Sequence, residues 1–124
     1  NIEDAAKENK QYRHVLYTAK NSQLVLMSLR PGEEIGEEVH ELDQFIRLEE
    51  GDGKIILDGK ESVVGANYAV LIPQGTKHNV INTGAAELKL YTIYSPPEHR
   101  DGTVHVTKAE ADADDEHFDG ATTE

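Results

Sequence analysis

Four side chains in two short segments of the chain are of the types that bind metal ions. Glu38, His40 and Gln44 lie in the first segment, residues 31–51, and His78 lies in the second segment, residues 73–82. Imidazole nitrogens and side-chain oxygens are ligands of first-row divalent metals. The four residues are therefore candidate ligands of one metal ion, provided that the fold brings the two segments together.

A single straight strand cannot deliver the first three candidates to one ion. Their even spacing would put them on one face of a strand, but an extended chain covers about 3.3 Å per residue, whereas ligand atoms lie about 2 Å from a metal. The chain must therefore fold back between His40 and Gln44, and Glu41-Leu42-Asp43 is the predicted bend. His78 must come from a distant strand, as in a closed barrel whose inward-facing residues share one lumen.

The elements that must position these residues are short strands separated by turns. Tight-turn signals such as Glu50-Gly51-Asp52-Gly53 alternate with apolar runs, and no long amphipathic helix pattern interrupts them. This arrangement predicts an all-β barrel or sandwich of about eight strands. The predicted strands are residues 13–18, 23–30, 44–49, 54–57, 61–64, 68–72, 78–82 and 88–94.

A chain of 124 residues fits one domain. We predict a barrel over residues 11–96, a loosely held polar lead-in over residues 1–10, and a C-terminal extension over residues 97–124. Residues 109–124 contain seven acidic residues and no Lys or Arg, which predicts a solvated, partly disordered tail with a short helical turn near residues 108–113. In the alternative, residues 98–107 fold back over the barrel mouth or onto a partner subunit.

The formal net charge of −12 disfavours binding to nucleic acid or to anionic membranes. The chain has no cysteine, which excludes thiolate metal sites and disulfides. No apolar stretch approaches the roughly 20 residues that span a bilayer, and no signal-peptide pattern opens the sequence. The cytoplasm is the expected location.

The two segments resemble the two motifs of the cupin superfamily. The first motif reads G, five residues, H-x-H, three or four residues, E, six residues, G; the second ends P-x-G-x-x-H-x-x-x-N. The second motif also resembles small single-domain cupins of the mannose-6-phosphate isomerase-like type. The resemblance implies a double-stranded β-helix, or jelly-roll, barrel with one divalent metal ion, and frequent homodimers. The matching positions are Gly32, Glu38, His40, Gln44 and Gly51, then Pro73, Gly75, His78 and Asn82.

The chain departs from the first motif at two positions. Glu38 stands where the first His usually is, and Gln44 stands where the Glu usually is. The implied metal ligands are two His, one carboxylate and one amide. Their net charge equals that of the usual motif, because the carboxylate has only changed position. This set suits Fe, Mn, Ni, Co or Zn. Gln44 either binds the metal directly or hydrogen-bonds a bound water or substrate.

Three functions fit such a site. The leading one is a metal-dependent, isomerase-type enzyme acting on a small polar sugar or keto compound, since a divalent metal polarises carbonyl groups. The others are an iron-dependent dioxygenase and a non-catalytic module that binds or senses a small molecule. Proton transfer needs an acid or base near the metal. The candidates of suitable type are Glu41, Tyr94 and His99.

Overall fold

Antiparallel strands form two sheets in a computed structural model that describes residues 1–124. The larger sheet has six strands in the order β6-β3-β8-β2-β1-β9, and the smaller has three in the order β5-β4-β7. The predicted all-β jelly-roll is confirmed. The strands are β1 Arg13–Thr18, β2 Gln23–Leu29, β3 Asp43–Glu50, β4 Asp52–Leu57, β5 Lys60–Gly65, β6 Ala69–Ile72, β7 His78–Asn82, β8 Leu88–Ser95 and β9 Val104–His105; the helices are α1 Ile2–Glu8 and α2 Lys108–Ala113.

The core lies between the two sheets and is almost wholly aliphatic. A cluster of 15 buried residues draws Met27, Leu48 and Leu90 from the larger sheet and Ile55 and Val80 from the smaller. Along most of β3, core residues alternate with more exposed ones, whereas nearly all of β2 is buried. Each fully buried aliphatic side chain stabilises the fold by about 1.5–3 kcal/mol.

Strand register places a row of polar side chains at one end of this interior. Gln23 pairs with Tyr94, Tyr94 with Gln44, and Gln44 with Ile72, so the four side chains lie on one face of the larger sheet. All four are buried. The next row, Val25 with Thr92 and Ile46, is also buried. The larger sheet therefore carries polar groups into the mouth of an otherwise apolar barrel.

The N-terminal lead-in is not loosely held, because residues 2–8 form α1. The side chain of Asn1 caps this helix by accepting from the Asp4 N–H at 3.0 Å. Ala6 is fully buried, and α1 packs on β8, β2 and β3. The sequence prediction missed the helix because it is short and presents one small apolar residue rather than a periodic stripe. No helix of the structure is both long and apolar enough to cross a membrane.

The C-terminal extension packs against the barrel instead of standing free in solvent. β9 pairs with β1, the Phe118 N–H donates to the Glu98 carbonyl at 3.0 Å, and the Thr123 N–H donates to the Thr18 carbonyl at 2.9 Å. The predicted helical turn is present as α2. Most residues of the acidic segment are exposed, as its composition predicts, and the fold-back of the extension over the barrel is the arrangement observed. One buried acidic residue, Glu116, anchors this otherwise exposed segment, which composition alone does not indicate.

Gly51 illustrates how turn geometry fixes the strand order. It joins β3 to β4 with φ +100°, and a Cβ built on it would lie 2.8 Å from the Glu87 carbonyl oxygen. A side chain there would strain the turn and push against the backbone before β8. Gly59, in the turn between β4 and β5, has φ +83° but open space around it.

We expect Gly51→Ala to destabilise the protein more than Gly59→Ala. Both changes carry the cost of left-handed backbone, about 1–2 kcal/mol, but only the first adds overpacking, about 1–3 kcal/mol. Urea unfolding of both variants measures the difference. Equal losses of unfolding free energy would contradict the close approach of Gly51 to the β8 side of the sheet.

Candidate metal centre

Gln44 has a buried amide oxygen that no protein group satisfies. The residue lies at the start of β3, and its Nε2 donates to Thr92 Oγ1 at 3.0 Å. Its Oε1 is buried without a hydrogen-bond partner. Because buried polar atoms are normally paired, an unpaired amide oxygen at this position fits a residue that binds a metal ion or a bound molecule.

His78 is held in the tautomer that a metal ligand needs. It is buried at the start of β7, and its Nδ1 lies 2.9 Å from the Thr76 carbonyl oxygen. A carbonyl oxygen only accepts hydrogen bonds, so Nδ1 carries the proton and Nε2 carries a free lone pair. Metal-binding histidines are commonly oriented by such a bond from the other ring nitrogen.

Glu38 is fixed next to His78 by the backbone. The Glu38 N–H donates to the His78 carbonyl and the His78 N–H donates to the Glu38 carbonyl, each at 2.9 Å. This isolated bridge joins the first segment to the second. His40 follows two residues later and is tied to the same turn, because its carbonyl accepts from the Gly75 N–H at 2.9 Å.

The rings of His40, His78 and Tyr94 meet at the barrel mouth. The centroid of the His40 ring lies 5.1 Å from that of His78 and 5.8 Å from that of Tyr94. Tyr94 is in turn the register partner of Gln44. The chain bends at Glu41 and Leu42 before β3 begins, as predicted. The fold thus collects all four sequence-predicted ligands around one end of the lumen.

The donor atoms of two of the four candidates, Glu38 and His40, are turned toward each other. His40 Nε2 lies 2.9 Å from Glu38 Oε2. No group of three or more His, Asp or Glu side chains is arranged to hold a metal ion. The ion pair accounts for this, because it engages the atoms through which both residues would bind. Gln44 contributes an oxygen of a different chemical type.

This ion pair shifts both pKa values. Burial acts to raise the pKa of Glu38, but the hydrogen bond and positive charge of His40, supported by Arg13, hold it below its ordinary value. Burial acts to lower the pKa of His40, but the hydrogen bond and charge of Glu38 raise it above its ordinary value. The pair is therefore a proton-sharing unit in which a metal ion would compete with the proton on His40.

A second titratable pair lies on the other side of Tyr94 and comes from the C-terminal extension. The centroid of the His99 ring is 5.2 Å from that of Tyr94, and His99 Nδ1 lies 2.5 Å from Glu116 Oε1. Both residues of this pair are buried. Glu98 places its carboxylate 3.7 Å from His40 Nδ1. The extension therefore contributes His99, Glu116 and Glu98 to the barrel mouth. Of these three residues, the sequence analysis named only His99 as a candidate.

Sequence analysis also missed Arg13, a buried cation at the start of β1. Only 8% of its surface is exposed, its Nη1 is 3.1 Å from His105 Nδ1, and its Nε has no partner. His105 Nε2 in turn contacts Asp114 Oδ2 at 2.9 Å. Even spacing from the buried Val15 was the one available signal that Arg13 faces inward. Nothing local to the sequence indicates its partners, which lie far along the chain.

The remaining predicted site residues divide by exposure. Tyr94 is buried, and burial raises the pKa of its hydroxyl, so it stays protonated at neutral pH. Glu41 is exposed at the bend, and it takes no part in the ion pairs that His40 makes with Glu38 and Glu98. The surface has two cavities, of about 220 and 200 Å³, and neither is lined by a candidate ligand. Neither cavity therefore opens onto the candidate ligands.

The buried pair predicts a pH-dependent stability. Burial lowers the pKa of His99 below its ordinary value despite the opposing bond to Glu116. The unfolded chain takes up this proton near pH 6.5, whereas the folded protein takes it up only at lower pH. Stability therefore falls as pH drops below about 6.5, by up to about 1.4 kcal/mol for each unit between the two pKa values.

We expect His99→Gln to reduce the loss of unfolding free energy between pH 7.5 and pH 5.5, the window that begins at the ordinary His pKa of about 6.5. His117→Gln is the matched control, because the His117 side chain is 70% exposed. Urea unfolding at the two pH values measures both. An equal acid-induced loss in wild type and His99→Gln would show that His99 is not the responsible group.

Comparison with known proteins agrees with this architecture. The family model described as "Cupin domain" matches residues 25–94, more than half of the chain. A crystal structure of BH2720 from Bacillus halodurans superposes with a TM-score of 0.91 at 50% identity, covering 92% of each chain. That degree of similarity extends past the family segment to include most of the C-terminal extension.

Two curated relatives are similar over nearly the whole chain. Uncharacterized protein YrkC of Bacillus subtilis is 50% identical over 119 residues, which are 90% of this chain and 63% of the relative. Uncharacterized protein L612 of Acanthamoeba polyphaga mimivirus is 41% identical over 117 residues, 90% of this chain and 72% of the relative. The chain thus spans less than two thirds of the length of YrkC. By the family match and these identities, the chain belongs to the cupin superfamily.

Proposed function

We propose that this cupin binds one divalent metal ion through Glu38, His40, Gln44 and His78. The observation that carries the proposal is the buried, unpartnered Oε1 of Gln44. It lies at the end of the lumen where His78 presents a free Nε2, because Thr76 takes the Nδ1 proton. A metal ion would replace the proton that His40 and Glu38 share.

The proposed site is chemically consistent for Fe, Mn, Ni, Co or Zn. Two imidazoles, one carboxylate and one amide oxygen are borderline ligands that all five ions accept. Glu38 supplies the negative charge, and the positive charge of Arg13 helps to keep this carboxylate ionised by lowering its pKa. Thr92, which is fully buried, holds the amide nitrogen of Gln44 so that the oxygen is left free.

The favoured activity is isomerase-type proton transfer on a small polar sugar or keto compound. When bound, a divalent metal polarises a carbonyl group and stabilises the charge that develops on its oxygen. The chain contributes Tyr94, a buried phenol that stays protonated and whose ring centroid lies 5.8 Å from that of His40. It also contributes His99, a buried imidazole whose ring centroid lies 5.2 Å from that of Tyr94. A hydrogen-bond donor and a proton acceptor side by side suit this chemistry.

An iron-dependent dioxygenase is the second candidate. Two histidines and one carboxylate with open positions are the ligand pattern of non-haem iron oxygenases, and Glu38, His40 and His78 supply those types. A binding or sensing module without turnover is the third. The C-terminal extension over the mouth favours it, because Glu98 lies 3.7 Å from His40 and the surface cavities do not reach the ligands.

The ligand assignment predicts the effect of two substitutions. We expect His40→Ala and His78→Ala each to abolish stoichiometric metal, because loss of one imidazole removes a principal ligand. Elemental analysis of untagged protein measures the metal content. His117→Ala is the control, since its side chain is 70% exposed. Retention of metal by both site variants would show that the ligands lie elsewhere.

The identity of the bound metal separates the three functions. Stoichiometric iron with oxygen consumption by the loaded protein would favour the dioxygenase. Zinc, manganese or nickel with no oxygen consumption would favour the isomerase-type enzyme. A protein that purifies without metal and takes none up on addition would remove both enzymes and leave the binding module.

We also propose that the chain forms a homodimer through the β6 edge of the larger sheet. β6 is an edge strand, Leu71 on it is 71% exposed, and a hollow of about 200 Å³ is lined by Leu71, Ile72 and Pro73. An apolar edge strand is suited to pairing with another chain. Sedimentation at several protein concentrations tests this, and a monomer at all of them contradicts it.

A further inference from the structure

The closest contact between two buried titratable side chains at the barrel mouth joins His99 to Glu116. His99 Nδ1 and Glu116 Oε1 are 2.5 Å apart, and Glu116 Oε2 also accepts from the Arg100 N–H at 2.8 Å. The carboxylate is thus fixed at both oxygens. Both residues lie outside residues 25–94, the segment that matches the cupin family.

This contact settles which ring nitrogen carries the proton. An ionised carboxylate only accepts hydrogen bonds, so the Nδ1 of a neutral His99 is the donor and its Nε2 bears the lone pair. Nε2 is buried and has no hydrogen-bond partner. A buried basic nitrogen with no partner is costly for the fold unless something uses it.

The backbone of His99 is held as firmly as its side chain. The His99 N–H donates to Gln23 Oε1 at 3.0 Å, and Gln23 Nε2 donates to the His99 carbonyl at 2.7 Å. Gln23 is the register partner of Tyr94, so it belongs to the inner row of the larger sheet. A residue of the extension is therefore fixed to the barrel wall rather than resting loosely against it.

The other candidate bases are less suited to proton transfer. Glu41 is exposed at the bend. Tyr94 keeps its proton at neutral pH because burial raises the pKa of its hydroxyl. The charged and titratable groups near His99 are Tyr94 on β8, Arg13 on β1, and Glu98 and Glu116 in the extension. Of these, only Glu116 touches the ring through a hydrogen bond.

We propose that His99 is the proton acceptor of the site and that Glu116 is the residue that positions it. The inference rests on the proposed isomerase-type function. As the substrate's C–H bond breaks, its electron pair stays on the substrate and the proton forms a new bond to His99 Nε2. Glu116 stabilises the resulting imidazolium through Nδ1–H. The same proton then returns to a neighbouring substrate atom, so no further reactant is required.

The positioning role has a spectroscopic test. In wild type, ¹⁵N NMR of the imidazole should show His99 protonated at Nδ1 at neutral pH. We expect Glu116→Leu to shift His99 toward the Nε2–H tautomer, because the acceptor for Nδ1–H is gone. Glu116→Gln keeps one acceptor oxygen for the two donors, His99 Nδ1–H and the Arg100 N–H, and should restore the Nδ1–H form in part. Asp115→Asn is the matched control, since the Asp115 side chain is fully exposed.

The catalytic role has a separate test that a merely structural pair would not pass. Metal-loaded protein is incubated with pyruvate and with dihydroxyacetone in D₂O, and ¹H NMR follows exchange of the hydrogens next to the carbonyl. We expect wild type and Asp115→Asn to accelerate exchange equally. His99→Gln should lose about 10²–10⁴-fold of the acceleration, and Glu116→Leu should show an intermediate loss.

The outcomes separate this inference from the proposed function. Exchange that persists undiminished in His99→Gln overturns the proton-acceptor role but leaves the metal-dependent enzyme in place. A wild-type His99 protonated at Nε2 overturns the positioning role of Glu116. Absence of exchange in every metal form overturns the proton-acceptor role together with the isomerase-type function. Metal content, measured on the same samples, reports on the four ligands independently of both residues.

Discussion

The reciprocal pair of backbone hydrogen bonds between Glu38 and His78 is the constraint on which the site depends. These two bonds join segments that are distant in sequence and fix the candidate carboxylate next to the candidate imidazole. They also set the position of His40, whose carbonyl is tied to Gly75 in the same turn. The Ile35 N–H, which donates to the Val80 carbonyl at 2.9 Å, holds the start of the segment on β7, and the Glu38–His78 bridge extends this pairing to the candidate ligands.

The strands and the ligand segments were predictable because their signals are local. Period-two burial along β3, the nearly continuous apolar run of β2 and the glycine turns between strands are visible within a few residues of sequence. The bend at Glu41 and Leu42 was predictable from the distance that an extended chain covers, because His40 and Gln44 cannot reach one metal ion along a straight strand. Each of these inferences needs no knowledge of which strand lies next to which.

Apart from the short helix α1, the missed features depend on contacts between distant parts of the chain. Arg13 meets His105 across a separation of 92 residues, and Lys89 meets the carbonyl of Asn9 across 80. No periodicity reports such pairs. The acidic segment is a related case, because its composition is that of a solvated tail and does not indicate contacts with the barrel. One residue of that segment, Glu116, has two partners in the folded protein, and composition cannot single it out.

The charge arrangement explains how an acidic chain keeps ionisable groups inside its barrel. A buried carboxylate is stable only with a compensating partner. The buried Glu116 has His99 and the Arg100 N–H, the half-buried Glu38 has His40, and the guanidinium of Arg13 acts on both carboxylates. Because each charge relies on the others, removing Arg13 would disturb both sides of Tyr94 at once. The interior is thus one electrostatic unit, built jointly by the barrel and the extension.

The two departures from the usual cupin motif are best understood together. A carboxylate at position 38 and an amide at position 44 keep the charge of the ligand set but move it to the residue that the β7 bridge holds. Thr92 can accept from the amide nitrogen of Gln44, which turns the amide oxygen away from the threonine and leaves it free. The negative charge then lies 2.9 Å from His40 Nε2, where it raises the pKa of His40, and Arg13 helps to hold the pKa of Glu38 below its ordinary value. A carboxylate at position 44 would instead lie in a row of neutral side chains, Gln23, Tyr94 and Ile72, with no cation in register. The two substitutions in the motif therefore move the negative charge within one site. The backbone bridge at Glu38 is then as necessary to the ligand set as the two histidines.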